Sequence, residues 1–211
     1  MKTLTRVCAG LLGSLALSAA VQAQVQFIAA GERNLFPFSQ VAPTGIACGD
    51  VDGDGDIDAV LAGSPSAALW IMGDDSFDVP PSGNWPNLPD ASFAVALADV
   101  DGDGDLDVAL ATSRAKNGPA EDRLLLNDGT GKFTDASAQL PATRANNSAS
   151  VAIGDLSGDG KPDLVFGGPT GIRVYVKTAN GFAAGTTPNP SLQGIFQLAL
   201  VDLDGDNDLD L

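Results

Sequence analysis

The feature that most constrains the fold is an aspartate-rich segment that occurs four times in the 211 residues. The first copy starts at Asp50 and reads DVDGDGDID, and the others start at Asp99, Asp155 and Asp202. Successive copies start 49, 56 and 47 residues apart. Recurrence over such distances is typical of repeat architectures, in which each copy contributes one structural unit. The chain is therefore expected to build several similar units in a row.

The four segments concentrate negative charge that needs a counter-charge. They hold 18 of the 27 acidic residues, whereas the whole chain has only 11 Lys and Arg residues and a formal net charge of −16. Two carboxylates about 4 Å apart repel each other by roughly 4 kcal/mol at an effective dielectric constant of 20. A set of oxygen ligands selects a hard cation, and Ca²⁺ accepts six to eight oxygens in flexible geometry. The sequence therefore predicts Ca²⁺ as the cofactor, one ion per loop and up to four ions.

The spacing inside each segment predicts which residues bind the ion. Positions 1, 3, 5 and 9 would offer side-chain oxygens, position 7 a backbone carbonyl, and the residue at position 6 a tight bend that suits glycine. An EF-hand is excluded because its bidentate Glu at position 12 is replaced by Leu61, Leu110 or Phe166. The alternative interpretation is a solvated acidic turn without an ion. The candidate metal ligands are Asp50, Asp52, Asp54, Asp56, Asp58, Asp99, Asp101, Asp103, Asp105, Asp107, Asp155, Ser157, Asp159, Lys161, Asp163, Asp202, Asp204, Asp206, Asp208 and Asp210.

The last two segments depart from this pattern. In the third, Ser157 replaces a carboxylate at position 3, and Lys161 at position 7 would offer only its carbonyl oxygen. Weaker binding is expected there. In the fourth, Asn207 stands in the glycine position, which is tolerable because Asn also adopts left-handed backbone conformations.

Short β-rich runs flank the loops and define the repeated unit. In the second unit, strands are predicted at Ser92–Ala98, Leu106–Ala111, Arg123–Leu126 and Phe133–Ala136. Four strands in a repeat of about 50 residues suit a β-propeller blade. The sequence therefore predicts an all-β propeller of four-stranded antiparallel blades, with repeats starting near residues 45, 92, 148 and 195.

Three phenylalanines recur with the unit, at Phe77, Phe133 and Phe182, and are expected to fill the core between blades. Trp85 lies in a Pro-rich connection and is expected to pin that connection to the body of the protein. Cys48 precedes the first loop within a strand and is expected to be a small buried hydrophobic residue.

These motifs resemble the FG-GAP/VCBS repeat family, whose calcium-loop blades also occur in the β-propeller head of integrin α subunits. The resemblance rests on the four Asp-rich loops, the segment Leu124–Phe133 and the motif Phe166-Gly-Gly-Pro169, and it extends from about Val25 to Leu211. It implies a ring of seven or eight blades, of which this sequence would supply about three and a half. The rest of a longer chain is therefore expected, with Val25–Ala29 as the outer strand of a blade completed by that missing part.

The first 23 residues are predicted to be a signal peptide. Lys2 and Arg6 lead an apolar stretch from Val7 to Ala20, and small residues follow at a cleavage site. No later apolar segment reaches the roughly 20 residues that cross a bilayer. The propeller would then occupy residues 24–211, secreted to the periplasm, the cell surface or the medium. Because Cys48 is the only cysteine outside the leader, no internal disulfide is expected in the mature chain.

Composition excludes several function classes. A sequence pI near 4.1 disfavours the phosphate backbone of nucleic acid as a partner. The chain has no His, which removes Ser-His-Asp and Cys-His catalysis and His-ligated zinc. Neither a nucleophile elbow nor a phosphate-binding loop occurs, so no catalytic residue and no enzyme activity are predicted.

Three functions remain open from the sequence. The first is an exported calcium-binding scaffold for binding or adhesion, in which calcium is structural and the ligand is a protein or a carbohydrate. The second is the propeller part of a secreted glycan-active enzyme, for which Glu121 and Asp122 are carboxylates outside the ion loops. The third is a passive repeat region of a larger exported protein.

Overall fold

The computed structural model describes residues 42–64, 68–72, 77–78, 83–88, 90–114, 121–142, 147–187, 191–206 and 208–211. The predicted signal peptide and the predicted strand Val25–Ala29 lie outside the described residues. The described residues include no helix that is long and apolar enough to span a membrane.

The described residues form twelve strands in three sheets of four strands each. The first sheet contains β1 (Ala42–Gly49), β2 (Asp58–Ser64), β3 (Ala68–Met72) and β4 (Phe77–Asp78). The second contains β5 (Ala91–Ala98), β6 (Asp107–Arg114), β7 (Arg123–Asn127) and β8 (Phe133–Asp135), followed by a 3-10 helix, Ser137–Gln139. The third contains β9 (Ser150–Gly154), β10 (Asp163–Gly168), β11 (Gly171–Thr178) and β12 (Gly181–Ala184).

Each sheet is an antiparallel meander in which neighbours in sequence are neighbours in space. The first and second strands pair so that the residue before each Asp-rich loop faces position 9 of that loop: Gly49 opposite Asp58, Ala98 opposite Asp107, and Gly154 opposite Asp163. The Asp-rich segment is thus the hairpin connection between these two strands. The predicted all-β architecture of four-stranded antiparallel sheets is confirmed, and the described residues form no closed ring.

Apolar side chains hold neighbouring sheets together. One cluster joins the first and second sheets and comprises Val51, Val60, Leu88, Val108, Leu110, Leu125 and Phe133. Another joins the second and third sheets and comprises Val100, Ala109, Ala111, Leu124, Leu140, Leu164, Phe166, Tyr175 and Phe182. Because successive side chains of a strand point to opposite faces, β6 contributes Val108 and Leu110 to the first cluster and the intervening alanines to the second. The second sheet therefore packs on both of its faces.

A fourth unit begins after the third sheet. Val201 and Asp210 pair across the fourth Asp-rich loop, as the corresponding residues do in the three sheets. Ile195, Leu198 and Leu200 pack against apolar residues of the third sheet. The Ile195 N–H donates to the carbonyl of Gly168 at 3.0 Å.

Gly168 also lies close to the backbone of Asn147. A side chain at Gly168 would place its Cβ 2.6 Å from the Asn147 carbonyl oxygen, so the close approach of the Gly168 and Asn147 backbones requires glycine.

Three of the four aromatic side chains with predicted positions lie where they were expected. Phe133 and Phe182 are buried in the two clusters between sheets, as predicted. Trp85 packs edge-on against Phe133, with ring centroids 5.2 Å apart, which confirms that it pins its connection. The side chain of Phe77 lies outside the described residues.

The prediction for Cys48 is wrong, because the Cys48 side chain is exposed. Cys48 lies in β1 on the same face of the strand as Thr44 and Ile46, because alternate residues of a strand point to one side. Thr44 and Ile46 are exposed as well.

Candidate metal-binding loops

The first Asp-rich loop wraps its backbone around its own carboxylates. Asp50 accepts hydrogen bonds from the backbone N–H groups of Gly53 at 2.8 Å and Gly55 at 2.9 Å. Asp52 accepts from the N–H of Asp54 at 3.3 Å, and Asp54 from the N–H of Asp56 at 2.8 Å. Both glycines have positive φ, 77° and 89°, which explains the glycines at positions 4 and 6 of the motif.

The same geometry recurs in the other loops. The carboxylate of Asp99 accepts from the N–H groups of Gly102 and Gly104 at 2.7 and 3.0 Å. The carboxylate of Asp155 accepts from the N–H groups of Gly158 and Gly160, both at 2.7 Å. In the fourth loop, Asp202 accepts from the Gly205 N–H at 2.6 Å. The first Asp of every loop thus organises the turn.

The Asp at position 9 has a role that the ligand pattern did not predict. Its carboxylate accepts the backbone N–H of position 2 in all four loops, at 2.8, 2.9, 3.0 and 2.9 Å for Asp58, Asp107, Asp163 and Asp210. The first three of these side chains are fully buried. Their burial could have been inferred because position 9 directly precedes the apolar run of the second strand.

Carboxylates from separate positions converge in three of the loops. One oxygen from each member of a triad lies within 4.8 Å of the others, and the triads are Asp50, Asp52 and Asp58; Asp99, Asp101 and Asp107; and Asp202, Asp204 and Asp206. Positions 1, 3 and 9 thus meet in the first two loops, and positions 1, 3 and 5 in the fourth. All donors are oxygen, which fits a hard divalent cation such as calcium.

The other predicted ligands lie around these triads. Asp54, Asp103 and Asp159, at position 5, accept backbone N–H groups within their own loops. Asp56, Asp105, Lys161 and Asp208 stand at position 7, where only the carbonyl was predicted to bind. Within the described part of the chain, the third loop has no triad of carboxylates; its position 3 is Ser157. The weaker site there stays a prediction.

In the first two loops, the carboxylates of Asp52, Asp101 and Asp107 are harder to ionise than isolated ones. Partial burial raises the pKa of Asp52 and Asp101, and the neighbouring Asp54 and Asp103 carboxylates raise it further. Burial raises the pKa of Asp107 to about 6, although the N–H groups of Asn127 and Val100 oppose the shift. A bound cation would favour the charged form of each carboxylate.

A separate buried carboxylate lies at the boundary between the second and third sheets. Asp122 is fully buried and accepts hydrogen bonds from the Thr112 N–H at 3.2 Å and the Ser148 Oγ at 2.7 Å. The Arg173 Nη2 lies 3.1 Å from its Oδ2 and also donates to Ser148 Oγ. Burial raises the pKa of Asp122 to about 6, and the Ser148 and Arg173 contacts lower it less. This network ties the second sheet to the third.

Acidification should stabilise the calcium-free protein. The pKa of both Asp107 and Asp122 is about 6 in the folded chain, against 3.8 as the ordinary value. The folded chain therefore retains protons that the unfolded chain releases, so the stability from these groups is present below pH 3.8 and is lost as the pH rises through about 6. We expect the free energy of unfolding in chelator to increase by about 2 kcal/mol between pH 7 and pH 5, measured by urea unfolding. Asp122→Asn should remove about half of this increase, and a decrease between pH 7 and pH 5 would contradict the prediction.

The chain was compared with curated protein sequences and with solved structures. No curated protein sequence matches the chain significantly. A solved structure with similarity to it is a lectin of Agrocybe aegerita that recognises non-reducing terminal N-acetylglucosamine, at 25% sequence identity and a TM-score of 0.39. The match covers 66% of this chain and 37% of the lectin chain.

The family comparison agrees with the repeats seen in the structure. The FG-GAP-like repeat matches the sequence three times in succession, at residues 50–110, 108–166 and 155–211. The first match begins at the first Asp of a loop, the third begins at Asp155, and together the matches include all four loops. They extend over most of the chain, from the first loop to the last residue. The chain belongs to the FG-GAP-like repeat family.

Proposed function

We propose that this chain is an exported scaffold of propeller-like blades in which Ca²⁺, bound one ion per loop, stabilises the fold and leaves the exposed surface for a protein or carbohydrate ligand. The observation that carries the proposal is the convergence of positions 1, 3 and 9 on one point in both the first and the second loop. Two independent copies of the same all-oxygen arrangement favour a shared ion-binding role over a chance grouping of surface charge.

Charge distribution supports a cation in these loops. The ion pairs of Arg123 with Asp90, at 2.5 Å, and of Arg173 with Asp122, at 3.1 Å, lie outside the loops. Lys161 is 3.6 Å from Asp159 in the third loop, and both side chains are largely exposed. Repulsion among the clustered carboxylates of the first two loops is therefore best relieved by a bound ion.

Export and calcium binding are consistent with each other. Extracellular modules bind Ca²⁺ with dissociation constants of about 10⁻⁴ to 10⁻³ M, a range that suits a calcium-rich medium. Folding around four ions would supply the bracing that disulfides give to many exported proteins. The predicted signal peptide is the basis for export, and cleavage after Ala23 would be detected by sequencing the N-terminus of the secreted protein.

Of the two carboxylates considered for the enzyme alternative, that of Asp122 is poorly placed for acid–base chemistry with a substrate. Asp122 is fully buried and its two oxygens already accept hydrogen bonds from Thr112, Ser148 and Arg173. The neighbouring Glu121 carbonyl accepts from the Thr112 hydroxyl at 2.6 Å, which fixes the backbone next to it. We therefore propose a structural role for Asp122 and no catalytic step.

Calcium titration of the full chain by isothermal calorimetry tests the proposal. We expect saturable binding of up to four ions, with Mg²⁺ much weaker because it dehydrates reluctantly. Asp99→Asn together with Asp101→Asn should remove one ion from the stoichiometry, since both carboxylates belong to one triad.

The matched control is Asp135→Asn, which changes an exposed Asp at the end of β8 outside the loops and keeps an acceptor for the Ser137 N–H. It should leave the stoichiometry unchanged. Absence of heat at millimolar Ca²⁺, or equal loss of binding in the control, would overturn the proposal.

A further inference from the structure

The first two ion loops meet at one buried residue, Asn127, at the end of β7. Its Nδ2 donates to the carbonyl of Val51 in the first loop at 2.7 Å and to the carbonyl of Leu106 in the second loop at 3.2 Å. Its backbone N–H donates to Oδ1 of Asp107 at 2.9 Å. Asn127 is only 6% exposed, so water cannot readily replace these hydrogen bonds.

Val51 is held by both units at once. Its N–H donates to Asp58 of its own loop, whereas its side chain is buried in the cluster that includes Leu125 and Phe133 of the second sheet. Asp50 and Asp52, two members of the first triad, flank it in sequence. Any ion that fixes these two carboxylates also fixes the Val51 carbonyl between them.

The β7–β8 turn contacts both loops as well. The Gly131 N–H donates to the Val51 carbonyl at 3.0 Å. On the other side of the turn, a Cβ added at Gly129 would lie 2.5 Å from Oδ2 of Asp105, so the turn lies directly against position 7 of the second loop. Asn127 and the turn at residues 128–132 therefore form one connection between the two sites.

We propose that the first and second loops bind Ca²⁺ cooperatively, with Asn127 and the β7–β8 turn as the coupling element. This inference rests on the proposed calcium-binding function and adds a dependence of one site on another. Binding in the first loop orders Val51, which orders Asn127, which in turn holds Asp107 and Leu106 of the second loop. The second ion then has less of its own site to order, and this gives positive cooperativity.

Among the described residues, the next boundary lacks this element, and it therefore provides an internal control. Lys177 is the equivalent of Asn127, because its N–H donates to Oδ1 of Asp163 at 2.7 Å just as the Asn127 N–H donates to Asp107. Unlike Asn127, Lys177 has no side-chain amide that could donate to a carbonyl of the preceding loop. Its Nζ lies 4.8 Å from the centre of the Phe182 ring. A cleft lined by Asp101, Lys161, Lys177 and Asn180 occupies this boundary. Coupling between the second and third loops should therefore be weak.

The test is a Ca²⁺ titration of the full chain in which NMR spectra are recorded at each Ca²⁺ concentration. The amide signals of Gly102 and Gly104 report on the second loop, because both donate to Asp99. Disabling the first loop with Asp50→Asn and Asp52→Asn should raise the dissociation constant of the second loop about fivefold or more. The matched control, Asp155→Asn with Asp159→Asn, removes the same charge from the third loop. It should change the dissociation constant of the second loop less than about twofold at physiological salt.

Two further measurements test the coupling: the effect of the second loop on the first, and the effect of replacing Asn127. Disabling the second loop with Asp99→Asn and Asp101→Asn should weaken the first loop by the same factor, read from Gly53 and Gly55. Asn127→Leu should reduce the effect of each loop on the other while both still bind; if that variant fails to fold, Asn127→Ala replaces it.

The outcomes separate the two proposals. Loops that titrate independently, or a third-loop control with an equal effect, would overturn the coupling and leave calcium binding intact. Glycine signals that do not respond to Ca²⁺ at all would overturn the proposed function itself.

Discussion

Removal of calcium should lower the midpoint of thermal unfolding by about 10–20 °C. An ion that binds only the folded chain contributes about 1.4 kcal/mol per site when free Ca²⁺ is tenfold above the dissociation constant, so four sites contribute about 6 kcal/mol. For a chain of this length, each kcal/mol shifts the midpoint by about 2–4 °C. The effect is large because the carboxylates of a loop repel one another once the ion is gone. Differential scanning calorimetry with excess Ca²⁺ and with a calcium-selective chelator measures it.

A variant with both of the first two loops disabled is the control for this measurement. Asp50→Asn, Asp52→Asn, Asp99→Asn and Asp101→Asn together remove two members from each of the first two triads. The calcium-dependent shift should fall to about half, because two of four sites remain. The same midpoint with and without chelator in the original chain would refute structural calcium.

Arg173→Met should destabilise the protein by about 3 kcal/mol at pH 7. The substitution leaves the Asp122 carboxylate fully buried without the guanidinium that lies 3.1 Å away. Removal of one partner of a buried ion pair is costly because the remaining charge keeps its desolvation penalty without its attraction. Urea unfolding monitored by circular dichroism gives the change in free energy.

Two further variants identify the cause of that loss. Arg173→Met combined with Asp122→Asn should recover part of the stability, because no charge then remains buried. Lys161→Met removes the exposed pair with Asp159, 3.6 Å apart, and should cost less than about 1 kcal/mol. If the double variant is as unstable as the sum of its single substitutions, the loss comes from packing and the ion-pair explanation fails.

The repeated unit itself could be predicted from the sequence. Strands expected at Ser92–Ala98 and Arg123–Leu126 are observed at Ala91–Ala98 and Arg123–Asn127, so their ends differ by at most one residue. This accuracy has a local cause. The Asp-Gly segments that end one strand and begin the next are turn-forming sequences, and the apolar runs beside them are too short for helices.

The residues that join one unit to the next could not be predicted. Asn127 and Val51 are 76 positions apart, and Arg173 and Asp122 are 51 positions apart. Hydrogen bonds of this kind depend on how two sheets superimpose, which no local periodicity encodes. The error for Cys48 has the same origin, because burial in a strand depends on which face another sheet covers.

The placement of β6 between two apolar clusters bears on how such a chain can change in length during evolution. Alternate residues of this strand serve different neighbours, and β10 divides Leu164 and Val165 between two clusters in the same way. Duplication or loss of one whole repeat preserves matching surfaces at the new junction. A gain of half a repeat would expose an apolar sheet face to water. Genes for such proteins should therefore gain and lose whole repeats.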